Sequence, residues 1–288
     1  MQIAKTCPHC YGVLPEMPTE TRQLSASPVR FIFIVAVPRT GSSHLTRLLR
    51  NCEPLRVKAE LFHPRSIDLP VEDILALAAR AGGRITDDES LCAWRRDHPR
   101  ETLESLFEAG GGRIVVAKIF PFHLSQEQLA DAIFKHRDTV YLVLQRRPIE
   151  SYISGLKANS IGGFGRIDTT STKPTLAPED FGKWAMRIRR WYEWLDEELR
   201  SRSLPHAPIS YEAELDGVSN RDALSGVLRK LEAMGLPHLD VPQKLLGGQR
   251  QDRERDYRSR VANWQAFEKA VRGDPDGASL LDWAEAAP

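Results

Sequence analysis

Residues 31–49 read FIFIVAVPRTGSSHLTRLL, and this stretch determines the fold of the chain. It opens with an unbroken apolar run that ends at Pro38, which predicts a buried strand. After a short polar turn, Leu45 and Leu48 recur at helical spacing, so a helix follows the turn directly. The N–H groups and the dipole at a helix N-terminus favour negative charge. The stretch therefore predicts an anion site between a strand and a helix.

The turn carries side chains that suit an anion. Arg39 adds a fixed positive charge, and the hydroxyls of Ser42 and Ser43 add donors. A Walker A loop needs a second glycine and a lysine, whereas this turn has Gly41 alone and no lysine. The dinucleotide fingerprint G-x-G-x-x-G is missing as well. An ordinary N-capped helix after a buried strand is the alternative interpretation.

The segment PRTGSSHL, residues 38–45, resembles the 5′-phosphosulfate loop of sulfotransferases that use 3′-phosphoadenosine-5′-phosphosulfate (PAPS). The loop has arginine at its second position, and in this it resembles the bacterial branch of the family, that of the trehalose and nodulation-factor sulfotransferases. The resemblance implies that PAPS is bound by Arg39, Thr40, Gly41, Ser42, Ser43 and His44. So short a match needs a second site that agrees with it.

A second junction of strand and helix agrees with the first. Val140–Leu144 predicts another buried strand and leads through Arg146 and Arg147 into a helical stretch. In sulfotransferases an arginine at the end of this strand and a serine eight residues later hold the 3′-phosphate. Arg146 and Ser154 have that spacing, and the planar donors of arginine match a phosphate. The alternative is that both arginines are solvated charges.

The third part of the resemblance lies near the C-terminus. An arginine-rich run from Arg250 to Arg260 precedes Trp264. Sulfotransferases often close the nucleotide site with a basic loop before a helix that carries a tryptophan. The resemblance implies that Arg258, Ser259 and Arg260 contact the 3′-phosphate or the adenine. Mixed runs of Arg, Asp and Glu are also typical of solvated faces.

The predicted strands alternate with predicted helices and span residues 31–37, 55–59, 113–119, 140–144 and 207–210. This alternation predicts an α/β fold with a mostly parallel, doubly wound sheet flanked by helices. Ligands of such sheets bind beyond the carboxyl ends of the strands, where we expect Arg39, Glu60 and Arg146 to converge. The resemblance adds the P-loop-like fold of sulfotransferases.

Transfer of a sulfuryl group to a hydroxyl needs a base that accepts the hydroxyl proton. Glu60 is the first choice, because KAELFHP at 58–64 is similar to the Glu-x-Phe segment that carries the base in the trehalose-type branch. Nonpolar neighbours would raise its pKa toward working pH. His63 and His123 are the alternatives. Cytosolic sulfotransferases have a catalytic histidine after the third strand, although the spacing from Lys118 is longer here.

Negative charge builds on the bridging oxygen during such a transfer. Arg39 and the N–H groups from Gly41 to Ser43 are expected to oppose that charge without moving. Arginine does not readily lose its proton, so this role is electrostatic. These donors balance the charge, and we expect PAPS as co-substrate and no metal. A nucleotide-type kinase with a degenerate P-loop and a non-catalytic nucleotide-binding module are the alternative functions.

The chain of 288 residues suits one α/β domain over 28–288 after a flexible leader over 1–27. Inserted loops near 66–112 and 155–178 are expected to shape the acceptor pocket, the second as a long mobile loop. Family analogy favours a carbohydrate hydroxyl as acceptor, with a lipid or small natural product next. Members of the family include dimers, so a homodimer stays open.

Composition restricts the partners and the location of the protein. A net charge of +1 argues against nonspecific nucleic-acid binding. No apolar stretch approaches a membrane span, and the N-terminus lacks a signal-peptide core. We therefore expect a cytoplasmic protein, and the resemblance implies a bacterial one. Cys7 and Cys10 form a C-x-x-C that can bind zinc or act in redox chemistry, but no second such pair follows.

Overall fold

The computed structural model describes residues 29–162, 167–245, 252 and 254–283. The predicted leader and its cysteine pair lie outside the described residues. The strands are β1 Phe31–Val35, β2 Leu55–Val57, β3 Ile114–Ile119, β4 Thr139–Gln145 and β5 His206–Ser210. Each lies within two residues of the strand predicted from the sequence.

Ten α-helices surround the strands within the described residues. They are α1 Ser42–Leu49, α2 Val71–Ala81, α3 Asp88–Asp97, α4 Pro99–Ala109, α5 Gln126–Ala132, α6 Pro148–Ser160, α7 Pro178–Ser201, α8 Asn220–Ala233, α9 Trp264–Arg272 and α10 Pro275–Asp282. A π-helical turn spans Tyr211–Leu215, and a 3₁₀ turn spans Tyr257–Arg260. No helix of the described residues is long and apolar enough to cross a membrane.

The five strands form one sheet in the order β2-β3-β1-β4-β5, and every pair is parallel. Phe31 of the central strand pairs with Val115 of β3 and Thr139 of β4. The chain leaves β1 toward β2 and leaves β4 toward β5, in opposite directions. A crevice therefore opens between the carboxyl ends of β1 and β4, where ligands of such sheets bind. The predicted α/β fold class is confirmed.

Both faces of β1 are buried, which explains its unbroken apolar run. Phe31, Phe33 and Val35 pack on the face covered by α2 to α5 and α7. Ile32 and Ile34 pack on the opposite face, against α1 and α8. A third apolar cluster joins α6 and α7 to α9 and α10. The sheet is thus covered on both sides, as in a doubly wound fold.

Two segments predicted as loops differ from the structure. Residues 66–112 contain α2, α3 and α4, whereas the apolar periodicity and the glycine stops of the sequence predict helices only over 71–81 and 100–109. α6 continues to Ser160, so the loop expected from Gly155 begins later. Glycine is a frequent helix terminator, but an interior glycine is tolerated where packing holds the helix. Residues 163–166 lie outside the described residues.

Candidate functional site

The turn after β1 has a strained, closely packed backbone. Arg39 and Gly41 both have left-handed conformations, with φ of 72° and 91°. Between them, Thr40 is fully buried, and its Oγ1 donates a 2.8 Å hydrogen bond to the carbonyl oxygen of Val37. A Cβ at Gly41 would lie 2.3 Å from Cδ2 of Tyr211. The turn therefore requires glycine for its conformation and for the space beside the tyrosine ring.

The N-terminus of α1 presents backbone donors at this turn. α1 begins at Ser42 with Gly41 as N-cap, and no side chain caps it. The N–H groups of His44 and Leu45 donate to the carbonyl oxygen of Gly41, at 2.8 and 3.1 Å. The first N–H groups of a helix have no acceptor within the helix. Those of Ser42 and Ser43 are therefore the donors that an anion would meet.

His44, the last predicted residue of the loop, contributes no fixed charge. Burial and the neighbouring charge of Arg47 lower its pKa, while Asp216 acts in the opposite direction. The imidazole is therefore neutral at pH 7. Its contribution to anion binding is restricted to neutral hydrogen bonding.

Arg39 and Arg146 meet in the crevice between β1 and β4. Nη1 of Arg146 donates to the carbonyl oxygen of Arg39 at 3.0 Å. Nε of Arg39 donates to Oγ of Ser154, also at 3.0 Å. Burial and then the charge of Arg146 lower the pKa of Arg39. An anion between the two guanidinium groups would relieve this repulsion. The structure thus brings together these three predicted residues.

Two residues that the sequence analysis missed hold Arg146 in place. Nη2 of Arg146 donates to Oε2 of Glu150 at 2.8 Å. The guanidinium carbon lies 4.4 Å from the centroid of the Tyr211 ring. Nε of Arg146 is buried and has no hydrogen-bond partner among the described residues. Because Glu150 is in the first turn of α6, an acidic residue four positions after a predicted phosphate arginine was the available signal.

The third predicted element divides into exposed and buried residues. Arg258 is exposed, and Oγ of Ser259 donates to a carbonyl of the same loop at 2.8 Å. Arg260 is buried, where it donates to the Glu254 carbonyl at 2.8 Å and to Glu150 at 3.2 Å. Arg260 therefore binds its own loop to α6 and shares Glu150 with the arginine of the crevice.

Glu60 lies beside the anion turn and in contact with two other side chains. Nζ of Lys118 donates to Oε1 of Glu60 at 3.0 Å and to Oγ of Ser43 at 3.3 Å. Nε2 of His123 lies 3.8 Å from Oε2 of Glu60. The lysine thus links the candidate base to α1. Three predicted strand ends, those of β1, β2 and β3, converge at this point.

The expectation that nonpolar neighbours raise the pKa of Glu60 is wrong. His123 and Lys118 lower its pKa to about 2, although burial acts in the opposite direction. Burial lowers the pKa of His123 itself, in spite of Glu60. At neutral pH both groups are therefore in proton-accepting forms. The Glu60 side chain is 34% exposed and that of His123 is 0% exposed, so Glu60 is the group that a substrate can reach.

The alternative histidine, His63, is farther from this contact. Its Nδ1 accepts from the N–H of Arg65 at 3.1 Å. Its ring centroid lies 6.1 Å from that of His123 and 6.0 Å from that of Phe122. His63 thus flanks the cluster without a recorded hydrogen bond to the carboxylate.

Two adjacent arginines of α3 hold the segments that carry Glu60 and His123. The fully buried Arg95 donates to the carbonyl oxygens of Leu61 at 2.7 Å and Ser66 at 3.1 Å. Arg96 donates to the carbonyl oxygen of His123 at 2.9 Å. No sequence pattern indicates this role, because an arginine pair in a helix is usually solvated. α3 therefore positions the segments on both sides of the carboxylate cluster, which consists of Glu60, Lys118 and His123.

The remaining cysteines of the described residues do not form a metal site. Cys52 and Cys92 are both buried and free. Among the described residues, no group of three or more His, Cys, Asp or Glu side chains is arranged to hold a metal ion. Burial raises the pKa of Cys52 to about 11, so its thiol stays protonated at neutral pH.

Comparison with known proteins gives one kind of match. No family model and no curated protein matches the chain. Among solved structures, the chain is similar to the crystal structure of a sulfotransferase from Alicyclobacillus acidocaldarius, with 17% sequence identity and a TM-score of 0.42. The alignment covers 90% of this chain and 98% of that one. Similarity at this level transfers no activity, so the function has to follow from the chemistry of the site.

Proposed function

We propose that this chain is a sulfotransferase that moves a sulfuryl group from PAPS to a hydroxyl. The observation that carries the proposal is the meeting of Arg39, Arg146 and Ser154 in the crevice between β1 and β4. Two basic groups at the ends of neighbouring strands, one of them hydrogen-bonded to a serine of α6, suit a nucleotide with phosphates at two positions. This geometry agrees with the two phosphate sites that the sequence resemblance implies.

The turn after β1 is proposed to hold the 5′-phosphosulfate, and Arg146 with Ser154 the 3′-phosphate. The fit is supported by the buried, unpartnered Nε of Arg146 and by the α1 N-terminus, which no side chain caps among the described residues. Glu150 neutralises part of the charge on Arg146. A phosphate would therefore add to a guanidinium that is already held in place, which reduces the entropic cost of binding.

The proposed transfer exchanges one bond for another at sulfur. The acceptor oxygen bonds to sulfur while the bond from sulfur to the bridging oxygen breaks, and 3′-phosphoadenosine-5′-phosphate leaves with the electron pair. The acceptor proton passes to Glu60. Because the pKa of Glu60 is about 2, the carboxylate takes the proton late, when bond formation has made the acceptor oxygen acidic. Arg39 and the turn N–H groups oppose the charge on the leaving oxygen.

Calorimetry tests the nucleotide assignment directly. The protein should bind 3′-phosphoadenosine-5′-phosphate more tightly than AMP or ATP, and labelled sulfate from PAPS should appear on an offered hydroxyl. Preference for ATP with Mg²⁺, and phosphoryl transfer from it, would favour the kinase alternative. Tight nucleotide binding without sulfation of any acceptor would favour a binding module.

Arg146→Ala and Arg147→Ala form a matched pair for the 3′-phosphate site. The Arg146 side chain is 9% exposed, whereas the Arg147 side chain is 40% exposed, and both contact Glu150. Arg146→Ala should weaken the binding of 3′-phosphoadenosine-5′-phosphate far more than the binding of AMP. Arg147→Ala should have little effect on the binding of either nucleotide. Equal weakening of the two nucleotides by Arg146→Ala would contradict the assignment.

A further inference from the structure

A cavity of about 530 Å³ opens beside Arg39. It lies between α6, α7 and the loop that follows β3. Its size falls in the range of sites for small organic molecules. Arg39 lines this cavity, and its Nε also binds Ser154, so one arginine borders both the cavity and the proposed nucleotide site.

α6 presents one face to the cavity through Ser151, Tyr152, Gly155 and Leu156. These positions recur at helical spacing, and Ser154 of the proposed phosphate site lies on a different face of the helix. The cavity and the nucleotide site are therefore neighbours on two faces of α6.

Gly155 keeps this cavity open. It lies in the interior of α6 without a left-handed conformation, and a Cβ there would meet no atom within 4 Å. Neither backbone conformation nor close packing requires glycine at this position. An interior glycine destabilises a helix relative to alanine. The effect of glycine at this position is therefore to leave space in the cavity that a larger side chain would fill.

The walls of the cavity are mainly aromatic and aliphatic. The ring centroids of Tyr152 and Trp184 lie 5.3 Å apart, and Phe122 is 47% exposed. The Phe122 ring meets the edge of His123 at a centroid separation of 4.8 Å, so the apolar wall reaches the carboxylate cluster. Walls that are mainly apolar favour a ligand with a flat apolar ring system, because they cover its surface and remove it from water.

One polar group inside the cavity has no partner. Oγ of Ser151 is buried and has no hydrogen-bond partner among the described residues. Such a hydroxyl destabilises the protein when it stays unpaired. A polar atom on a bound ligand would pair with it. The cavity thus combines mainly apolar walls with a few polar side chains, as small-molecule sites commonly do; these are Arg39, Ser151, Asn159 and Arg187.

We propose that this cavity binds the acceptor, and that the acceptor is a phenol or another hydroxyl carried on a flat apolar ring system. The proposal rests on the sulfotransferase function above and replaces the carbohydrate favoured by family analogy. The acceptor hydroxyl would lie at the end of the cavity that Arg39 lines, where Phe122 contacts His123 of the carboxylate cluster.

The test uses 2-naphthol as probe and Gly155→Leu as the variant. A leucine side chain would occupy the open space, so 2-naphthol binding in calorimetry should weaken by roughly tenfold or more. Binding of 3′-phosphoadenosine-5′-phosphate should stay within about threefold of wild type, because the nucleotide site lies on another face of α6. Gly226→Leu in α8, also with no neighbour within 4 Å of a Cβ, is the matched control.

The outcomes separate this inference from the proposed function. The inference would be overturned if Gly155→Leu bound 2-naphthol as tightly as wild type, or if the enzyme sulfated methyl glucoside in preference to 2-naphthol. Sulfation of methyl glucoside would still support the proposed sulfotransferase function. Binding of 2-naphthol without any binding of 3′-phosphoadenosine-5′-phosphate would overturn the proposed function instead. Should Gly155→Leu fail to fold by circular dichroism, Trp184→Ala removes a wall and should weaken 2-naphthol binding by a similar factor.

Discussion

Nη1 of Arg146 donates a 3.0 Å hydrogen bond to the backbone carbonyl oxygen of Arg39 and so ties the end of β4 to the turn after β1. The same guanidinium donates to Glu150. A lysine would keep the charge but has no planar fork for both partners. Arg146→Lys should therefore weaken the binding of 3′-phosphoadenosine-5′-phosphate about tenfold or more, as measured by calorimetry. Arg147→Lys is the control, and equal effects of the two variants would count against this role.

Glu60→Gln should lower turnover by roughly 10²-fold or more, the usual scale for the loss of a general base. Glutamine keeps the size of the side chain but cannot accept the acceptor proton. Affinity for 3′-phosphoadenosine-5′-phosphate should stay near wild type, because Glu60 lies outside the crevice that holds Arg146. Rates come from labelled-sulfate transfer. Full activity of Glu60→Gln would assign the base to His63 or His123.

The pH dependence of stability should report the lowered pKa of Glu60. A carboxyl whose pKa falls from 4.5 to about 2 on folding stabilises the protein above pH 4.5 and loses that contribution as pH falls toward 2. Because the side chain is 34% exposed, solvent reduces the contribution to about 1 kcal/mol. Urea unfolding of wild type and Glu60→Gln should show a constant difference above pH 6 that shrinks below pH 4.5. A difference that grows on acidification would contradict the assignment.

Gly41→Ala should destabilise the protein and abolish nucleotide binding. The substitution forces a left-handed residue, which costs about 1–2 kcal/mol, and places a Cβ 2.3 Å from the Tyr211 ring. Gly82→Ala is the control, since Gly82 has φ of 60° and nothing within 4 Å. Thermal unfolding should show a larger loss for Gly41→Ala than for Gly82→Ala. Equal losses would mean that Tyr211 moves aside without cost.

Arg95→Met should lower turnover while leaving nucleotide affinity near wild type. The change leaves the carbonyl groups of Leu61 and Ser66 without their donor, which costs about 1–3 kcal/mol for each buried group. The segment that carries Glu60 is then less well positioned. Arg80→Met, at a side chain 41% exposed, should change stability by less than about 0.5 kcal/mol. Loss of nucleotide affinity in Arg95→Met would indicate a general loss of structure.

The elements that local pattern controls were predictable from the sequence. β1 and β4 are buried on both faces, so their apolar runs are continuous, and α1 follows a turn whose glycine is required. The placement of Arg39 and Arg146 at neighbouring strand ends followed from the parallel order. The strands and α1 depend on residues close together in the chain, whereas the meeting of the two arginines depends on the general rule that parallel strands end at the same edge of a sheet.

The features that depend on distant contacts were not predictable. α3 buries Arg95 against carbonyl groups of another segment, and no apolar periodicity indicates such burial. The pKa of Glu60 depends on Lys118 and His123, which are remote in sequence and reach the carboxylate only through the sheet. The continuation of α6 through Gly155 depends on its packing against α7 and α9.

The ring of Tyr211 packs against Gly41 and lies 4.4 Å from the guanidinium carbon of Arg146. One side chain of the π-helical turn after β5 therefore supports both halves of the proposed nucleotide site. A smaller side chain at position 211 would remove the aromatic partner of Arg146 and open space beside Gly41. A single substitution would thus disturb the sites of both phosphates together, although it touches neither phosphate.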